Sequence, residues 1–271
     1  MAAMQSRAVG HIPFDGLPNT RDLGYLKTTT GKAIASRKLL RSGALHGASE
    51  ADLVKLQDEY DVHTVIDLRT HEEKEKQPDP HKKMPEVAFV EAPILGFSAT
   101  GITRENGLMG MLKTLGNLKA HPKQLMIDLY PSMLLGETGI HGYTNFFEAL
   151  VNNDEGAVLW HCSAGKDRAG LAAVLLLHVL GVSKEDILAD YLATNQFLEG
   201  RADELKELIP HVLQTEDILS SLKIFNSTDE EFLNAGIEGV EKKYGSLDGY
   251  LEQALGIDES KKERLCSLYL A

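Results

Sequence analysis

The segment that most constrains the fold of this chain is a short apolar run at residues 156–160, which leads directly into a polar loop and then into an alanine- and leucine-rich stretch at residues 168–180. An apolar run without alternation is typical of a strand that is covered on both faces. The leucine-rich stretch stops at Gly181, and glycine is a common residue just beyond the end of a helix. The sequence therefore predicts a buried strand, a loop and a helix in immediate succession.

Three further segments have the character of strands. Residues 62–68 are rich in β-branched side chains, residues 87–91 are followed by Pro93, and residues 38–41 form a shorter candidate. Segments with apolar residues at helical spacing lie between and after these strands. They predict helices at residues 49–60, 125–135, 143–151 and 183–199, and two or three more between residues 229 and 270. Strands separated by helices predict an α/β fold with a central, mostly parallel, twisted sheet flanked by helices.

We predict a single domain over residues 1–271, because no shift in composition divides the chain. Within it we expect an insertion at about residues 94–137 and a helical C-terminal part at about residues 200–271. Residues 96–119 have no firm periodicity, which is typical either of a lid over a binding site or of a variable surface excursion or short helix pair.

The charge and the cysteine content limit the possible partners and compartments. With 28 basic and 40 acidic residues, the net charge is −12, so the summed field disfavours general binding to nucleic acid or to an anionic membrane. The longest apolar segment is too short to span a bilayer, and the first residues lack the apolar stretch of a signal peptide. Only two cysteines are present, which favours a reducing compartment, and we expect a cytoplasmic protein.

The polar loop at residues 161–170 has the chemistry of an anion site. Backbone amides of a loop between a strand and a helix can converge on one point, and the helix directs the positive end of its dipole there. Arg168 adds a planar two-pronged donor for phosphate oxygens, and Lys166 adds a second positive charge. Such a pocket lowers the pKa of a thiol, so Cys162 is the candidate nucleophile for attack on phosphorus through a phosphocysteine intermediate.

Other interpretations of this loop are weaker. A buried cysteine is commonly an inert core residue, and a Cys-x5-Arg spacing alone is weak evidence, but here it occurs with a preceding histidine, a central glycine, a strand and a helix. A nucleotide-binding Walker loop would need glycine at Trp160 and serine or threonine at Asp167. A single cysteine beside a single histidine lacks the spacing of a zinc site, and we expect neither a metal nor another cofactor.

Residues 161–170 resemble the signature loop of the cysteine-dependent protein tyrosine phosphatase superfamily, His-Cys-x5-Arg. The Ala-Gly-Lys-Asp-Arg interior is similar to that of the bacterial and fungal tyrosine/serine phosphatase family with lipid-phosphatase-like members. Four other stretches resemble segments of that family, in order along the chain: residues 19–24, 40–45, 65–70 and 244–247. The resemblance runs from about residue 18 to residue 270 and implies a phosphatase-like fold acting on phosphotyrosine, with phosphoserine, phosphothreonine or phosphoinositides also open.

The resemblance implies roles for individual residues. Cys162 would be the nucleophile and Arg168 would hold two phosphate oxygens. Asp167 is the first candidate for the general acid, although it could instead only shape the loop, and Asp67 is the second candidate or a residue that holds Arg168. The remaining candidates are substrate-binding residues: His161, Ser163, Ala164, Gly165, Lys166, Arg21 and Arg41. Of these, His161 would orient the loop and favour the thiolate, and Arg21 paired with Asp22 could be purely structural.

One departure from the family pattern concerns the residue after the signature arginine. The superfamily usually has serine or threonine there, whose hydroxyl stabilises the departing thiolate, whereas this chain has Ala169, with Ser163 as a possible substitute donor. A lost hydrogen bond of this kind would slow the second step roughly tenfold. This departure keeps open one rival function, a non-catalytic module that binds phosphorylated residues. A second rival is a rhodanese-like sulfurtransferase, which also places a cysteine in an anion-holding loop.

Two segments between the predicted strands have no role in this scheme. Residues 71–76 have the charge pattern of a solvated helical face, and residues 78–83 have the composition of a turn.

Overall fold

The computed structural model of the chain describes residues 10–95, 121–200, 206–207, 211 and 214–271. A five-stranded sheet in the order β1-β2-β5-β3-β4 forms its centre. The strands are β1 (Arg21–Asp22), β2 (Leu39–Ser42), β3 (Val62–Asp67), β4 (Ala88–Glu91) and β5 (Ala157–His161). Only β1 is antiparallel to its neighbour, so the predicted α/β fold with a mostly parallel sheet is confirmed.

Ten α-helices of the described residues surround the sheet. They are α1 (Glu50–Val54), α2 (His71–Lys76), α3 (Pro122–Leu135), α4 (Glu137–Val151), α5 (Asp167–Val179), α6 (Lys184–Phe197), α7 (Glu216–Asn226), α8 (Glu230–Tyr244), α9 (Leu247–Gln253) and α10 (Glu259–Tyr269). The predicted helix at residues 49–60 is divided: α1 ends at Val54 and the chain continues as a π-helical turn, Lys55–Glu59. Helix α7 lies within the predicted helical C-terminal part at residues 200–271, although no bounds were predicted for it, and the tail beyond residue 229 holds the three helices that the pattern allowed.

The sheet is covered on both faces, as the unbroken apolarity of its strands predicts. Along β5, Val158 and Trp160 belong to a large core shared with α3 to α6 and the C-terminal helices, whereas Ala157 and Leu159 belong to a smaller core shared with α1 and the N-terminal residues. Alternate side chains therefore enter opposite cores. Helix α5 is buried along most of its length, which fixes the helix that follows the signature loop against the sheet.

The parallel pairing of β3 with β5 places two loops at one edge. Asp67, at the end of β3, is the register partner of His161, at the end of β5. The loops that follow both strands are therefore neighbours, in the position where ligand sites of open α/β sheets are found.

The predicted insertion at residues 94–137 contains α3, against which α8 of the C-terminal part packs. The proposed lid at residues 96–119 lies outside the described residues, and the single-domain boundaries stay a prediction. In the part of the chain that the structure describes, no helix combines the length and the apolar character needed to cross a membrane.

Candidate active site

The loop between β5 and α5 presents a row of unpaired amides. Cys162 follows β5 directly and is 3 % exposed. No described residue accepts a hydrogen bond from the backbone amides of Ser163 through Arg168. Unpaired amides in a loop that opens a helix are the arrangement that binds an oxyanion.

The carbonyl groups of the same loop accept hydrogen bonds from two buried side chains. Asn19 Nδ2 donates to the carbonyls of Ala164 at 3.0 Å and Gly165 at 3.1 Å, and Arg41 Nη2 donates to the Gly165 carbonyl at 2.9 Å. In a trans peptide the N–H points away from the C=O, so these bonds turn the amides of Gly165 and Lys166 away from Asn19 and Arg41. Asn19 and Arg41 thus fix the loop conformation that exposes these amides.

Gly165 is required at the centre of this turn. Its φ is +66°, a region that side-chain-bearing residues rarely adopt, and a Cβ atom there would lie 2.5 Å from the carbonyl oxygen of Ser42. The substrate-binding prediction for Gly165 and Ala164 therefore concerns their backbone.

Arg21 and Arg41 lie beneath the loop and not on its open face. Both are fully buried, and they share the carboxylate of Asp190, with Arg41 Nη1 at 2.5 Å and Arg21 Nε at 3.3 Å. Burial and the neighbouring charge of Arg41 lower the pKa of Arg21 to about 10, although Asp190 opposes this. Arg41 supports the loop directly, and Arg21 supports it through Asn19, to whose Oδ1 its Nη1 donates at 3.2 Å, so a direct contact with substrate stays a prediction for both.

The guanidinium group of Arg168 is paired with a carboxylate. Its Nη1 and Nη2 each lie 2.5 Å from an oxygen of Glu73, and its Nη2 also lies 3.1 Å from the hydroxyl of Ser163. Ser163 in turn donates to Glu73. Glu73 therefore fixes the orientation of both loop side chains, a role that the sequence had assigned to Asp67 as one option.

Glu73 is held by the start of its own helix. Thr70 caps α2 in a capping box. The Thr70 amide donates to Glu73 Oε2 at 2.7 Å, and the Glu73 amide donates to the Thr70 hydroxyl. Burial would raise the pKa of Glu73, but the hydrogen bonds and charge of Arg168, with those of Ser163 and the Thr70 amide, lower it to about 2. The prediction of a solvated face for residues 71–76 was wrong for Glu73, which is 3 % exposed.

A second buried network surrounds His161. Its Nε2 lies 3.1 Å from Asp79 Oδ2 and its Nδ1 lies 3.9 Å from Asp67 Oδ1. Burial would lower the pKa of His161, but the Asp67 and Asp79 carboxylates outweigh it and raise the pKa. A protonated imidazole is thereby favoured directly before Cys162, and the orienting and charge-stabilising role of His161 stays a prediction.

The carboxylates of this network are already matched by a cation. Asp67, Asp79 and His161 offer three ligand atoms within 4.8 Å of one another. However, Arg69 Nη2 lies 2.8 Å from an oxygen of each carboxylate. Because the guanidinium occupies the position between the two acids, we assign these residues to a charge network and not to a metal centre.

The two candidate acids differ in their availability. Both oxygens of Asp67 accept from Arg69, and Asp67 is buried. Asp167 begins α5, and its side chain is 25 % exposed. Its Oδ1 accepts from Tyr130 Oη at 2.7 Å and lies 2.8 Å from Lys166 Nζ. Of the two candidate acids, Asp167 is therefore the more exposed, and its role as general acid stays a prediction.

Lys166 does not extend from the loop into solvent. Its side chain is 4 % exposed, and Nζ donates to the Ser227 carbonyl at 3.0 Å in addition to its contact with Asp167. A contact with substrate stays a prediction for this residue.

Comparison with known proteins shows the family to which the chain belongs. A mostly parallel sheet whose central strand leads through Cys-x5-Arg into a buried helix defines the class of cysteine-dependent phosphatases. A model of the tyrosine phosphatase family matches residues 12–271, and the chain belongs to that family. This membership makes the chain a protein tyrosine phosphatase-like hydrolase, and neither the non-catalytic binding module nor the sulfurtransferase is favoured.

Three relatives show how far the similarity extends. A Cupriavidus necator protein named as a candidate tyrosine-protein phosphatase is 31 % identical over 91 % of this chain and 85 % of its own length. The triple specificity protein phosphatase PtpB of Mycobacterium tuberculosis is 33 % identical over 42 % of this chain and 44 % of its own. A Nostoc commune tyrosine-protein phosphatase is 26 % identical over 94 % and 74 %.

Proposed function

We propose that the loop at residues 161–168 hydrolyses phosphotyrosine through a covalent intermediate on Cys162. The observation that carries the proposal is the row of amides from Ser163 to Arg168, which have no acceptor among the described residues. Asn19 and Arg41 hold this row open, and it lies directly beside the thiol. Amide donors that already point at the developing charge need no reorganisation during the reaction, which is why they stabilise a transition state effectively.

The reaction divides into two steps. In the first, a lone pair of the Cys162 thiolate attacks phosphorus, the bond from phosphorus to the ester oxygen breaks, and Asp167 gives its proton to the departing oxygen. In the second, water attacks the phosphocysteine, the S–P bond breaks to release the thiolate, and Asp167 takes the proton of the water. Glu73, Ser163 and the Leu68 carbonyl face the two terminal nitrogens of Arg168, so Arg168 offers its Nε–H to one equatorial oxygen in both steps, and the loop amides bind the other oxygens.

The proposed substrates are phosphotyrosine proteins first, with phosphoserine, phosphothreonine and phosphoinositides as further candidates. The description of the Mycobacterium tuberculosis relative as a phosphatase of triple specificity supports a range of phosphomonoesters. A second free cation in the loop would favour phosphoinositides, whose headgroups carry several phosphates, but Lys166 Nζ contacts Ser227 and Asp167. The cytoplasmic location stays a prediction that the two free cysteines support.

The role of Asp167 is tested by substrates that differ in their leaving group. We expect Asp167→Asn to slow a phosphoserine peptide by about a hundredfold, a phosphotyrosine peptide less, and p-nitrophenyl phosphate by less than about tenfold, since a good leaving group needs no proton. The measurement is kcat for the three substrates under one condition. As a comparison, Asp67→Asn should slow all three alike, because Asp67 acts through His161 and Arg69. Equal slowing of all three by Asp167→Asn would remove Asp167 as the acid.

A further inference from the structure

Two buried tyrosines reach the proposed acid from outside the signature loop. Tyr130, in α3, donates to Asp167 Oδ1 at 2.7 Å, and Tyr191, in α6, lies 2.6 Å from the Tyr130 hydroxyl. Both rings are fully buried, and they meet edge to face. Tyr130 belongs to the predicted insertion, so this part of the chain contributes a side chain to the active site.

The direction of these hydrogen bonds follows from the number of protons. Each hydroxyl has one hydrogen, and that of Tyr130 is donated to Asp167, so the hydrogen between the two tyrosines comes from Tyr191. Burial and the nearby charge of Asp167 raise the pKa of both tyrosines, which keeps them protonated as donors. Successive donors in a buried chain strengthen one another.

The two oxygens of Asp167 are therefore not equivalent. Tyr130 and Lys166 both present hydrogens to Oδ1, whereas no described residue donates to Oδ2. A protonated carboxyl group facing two donors at Oδ1 carries its own proton on Oδ2. Only that oxygen then delivers the proton to the leaving group.

We infer that Tyr130, supported by Tyr191, is a positioning residue that fixes the orientation of Asp167 and makes Oδ2 the proton-donating atom. This inference rests on the proposed role of Asp167 as general acid. Lys166 acts in the same direction, because its ammonium group bridges Oδ1 and the carbonyl of Ser227, the residue that caps the C-terminal end of α7. Neither tyrosine touches the substrate; both act through the carboxyl group.

The test uses Tyr130→Phe, which removes one hydroxyl and keeps the ring packed on Phe232 and Tyr191. We expect kcat for a phosphoserine peptide to fall about tenfold and kcat for p-nitrophenyl phosphate to fall less than about twofold, because only the poor leaving group depends on a well-placed proton. Tyr191→Phe should give a smaller loss with the same dependence on leaving group, and it serves if Tyr130→Phe does not fold.

A double substitution separates positioning from general damage. In an Asp167→Asn background, Tyr130→Phe should cause no further loss, since its effect passes through the acid. Tyr250→Phe is the matched control, because that tyrosine is also fully buried and donates at 2.7 Å to a carbonyl of α3, at Leu134. It should leave the ratio of the two substrates unchanged.

Three results would overturn the inference: equal slowing of both substrates by Tyr130→Phe, no slowing of either, or a loss that persists in the Asp167→Asn background. The failure of the underlying proposal looks different. In that case the loss of kcat caused by Asp167→Asn alone would be the same for good and poor leaving groups, whatever the behaviour of the Tyr130 variant.

Discussion

Replacement of Cys162 by serine is expected to abolish turnover while oxyanion binding persists. A serine hydroxyl is a far weaker nucleophile than a thiolate at neutral pH, so we expect a loss of at least about a thousandfold in kcat. The amides of Ser163 to Arg168, which we propose to bind the anion, are backbone groups that the substitution leaves in place. The measurements are steady-state turnover of p-nitrophenyl phosphate and calorimetric titration with tungstate.

The two measurements together separate the possible outcomes. Loss of turnover with tungstate affinity within about threefold of the wild type supports the proposed nucleophile. Turnover at the wild-type rate in the serine variant would contradict it. Cys266→Ser is the matched control, because it makes the same change at the second cysteine, in α10, and should leave turnover and tungstate affinity unchanged.

Replacement of Glu73 by glutamine is expected to destabilise the fold and the site together. The pKa of Glu73 falls from an ordinary 4.5 to about 2, which corresponds to about 3 kcal/mol of folding free energy at neutral pH. Because the pKa is depressed in the folded protein, this contribution is present above pH 4.5 and is lost as the pH falls towards 2. The variant also leaves the buried Arg168 without its counter-charge, so we expect turnover to fall at least about tenfold.

A neighbour in the same helix provides the control. Glu72 loses the same charge when changed to glutamine, but its side chain is a third exposed and pairs with Lys76 at the surface. Glu72→Gln should cost less than about 0.5 kcal/mol. Chemical denaturation between pH 7 and pH 3 should show the gap between Glu73→Gln and wild type closing with acidity. Equal stability of the two variants at pH 7 would contradict the assigned role of Glu73.

Much of the architecture could be predicted because the signals are local. The unbroken apolar runs of β3 and β5 require cover on both faces, and the leucine-rich α5 with its terminal glycine is readable from composition alone. Strand β1 was missed because Arg21–Asp22 is two residues long and carries no strand pattern. The break between α1 and the π-helical turn was missed because nothing in the local spacing distinguishes it.

The supporting residues of the site were harder to predict, because their partners are distant in sequence. Glu73 and Arg168 are 95 positions apart, and Asp79 meets His161 only in the folded chain. The sequence did hold one usable signal, a Thr70-x-x-Glu73 capping box directly after a strand, which places Glu73 at a fixed helix start near the sheet edge. Tyr130 and Tyr191 gave no signal beyond helical apolar spacing, which equally describes a core tyrosine.

The absence of a hydroxyl at Ala169 has a kinetic consequence. Ala169 is fully buried, and the Ser163 hydroxyl, the substitute donor suggested by the sequence, gives its hydrogen to Glu73. Ser163 is therefore committed elsewhere, and hydrolysis of the intermediate is expected to be the slower step. A slow second step allows the intermediate to accumulate during turnover.

The most direct test is the detection of that intermediate. The enzyme is mixed with excess p-nitrophenyl phosphate, quenched in acid within the first turnovers, digested and analysed by mass spectrometry, with the Cys162→Ser variant treated in parallel. We predict one phosphoryl group on the peptide that contains Cys162, formed in step with an initial burst of p-nitrophenol, and none in the variant. A phosphoryl group on a different residue would contradict covalent catalysis by Cys162. Turnover without a burst and without any modified peptide would contradict it as well.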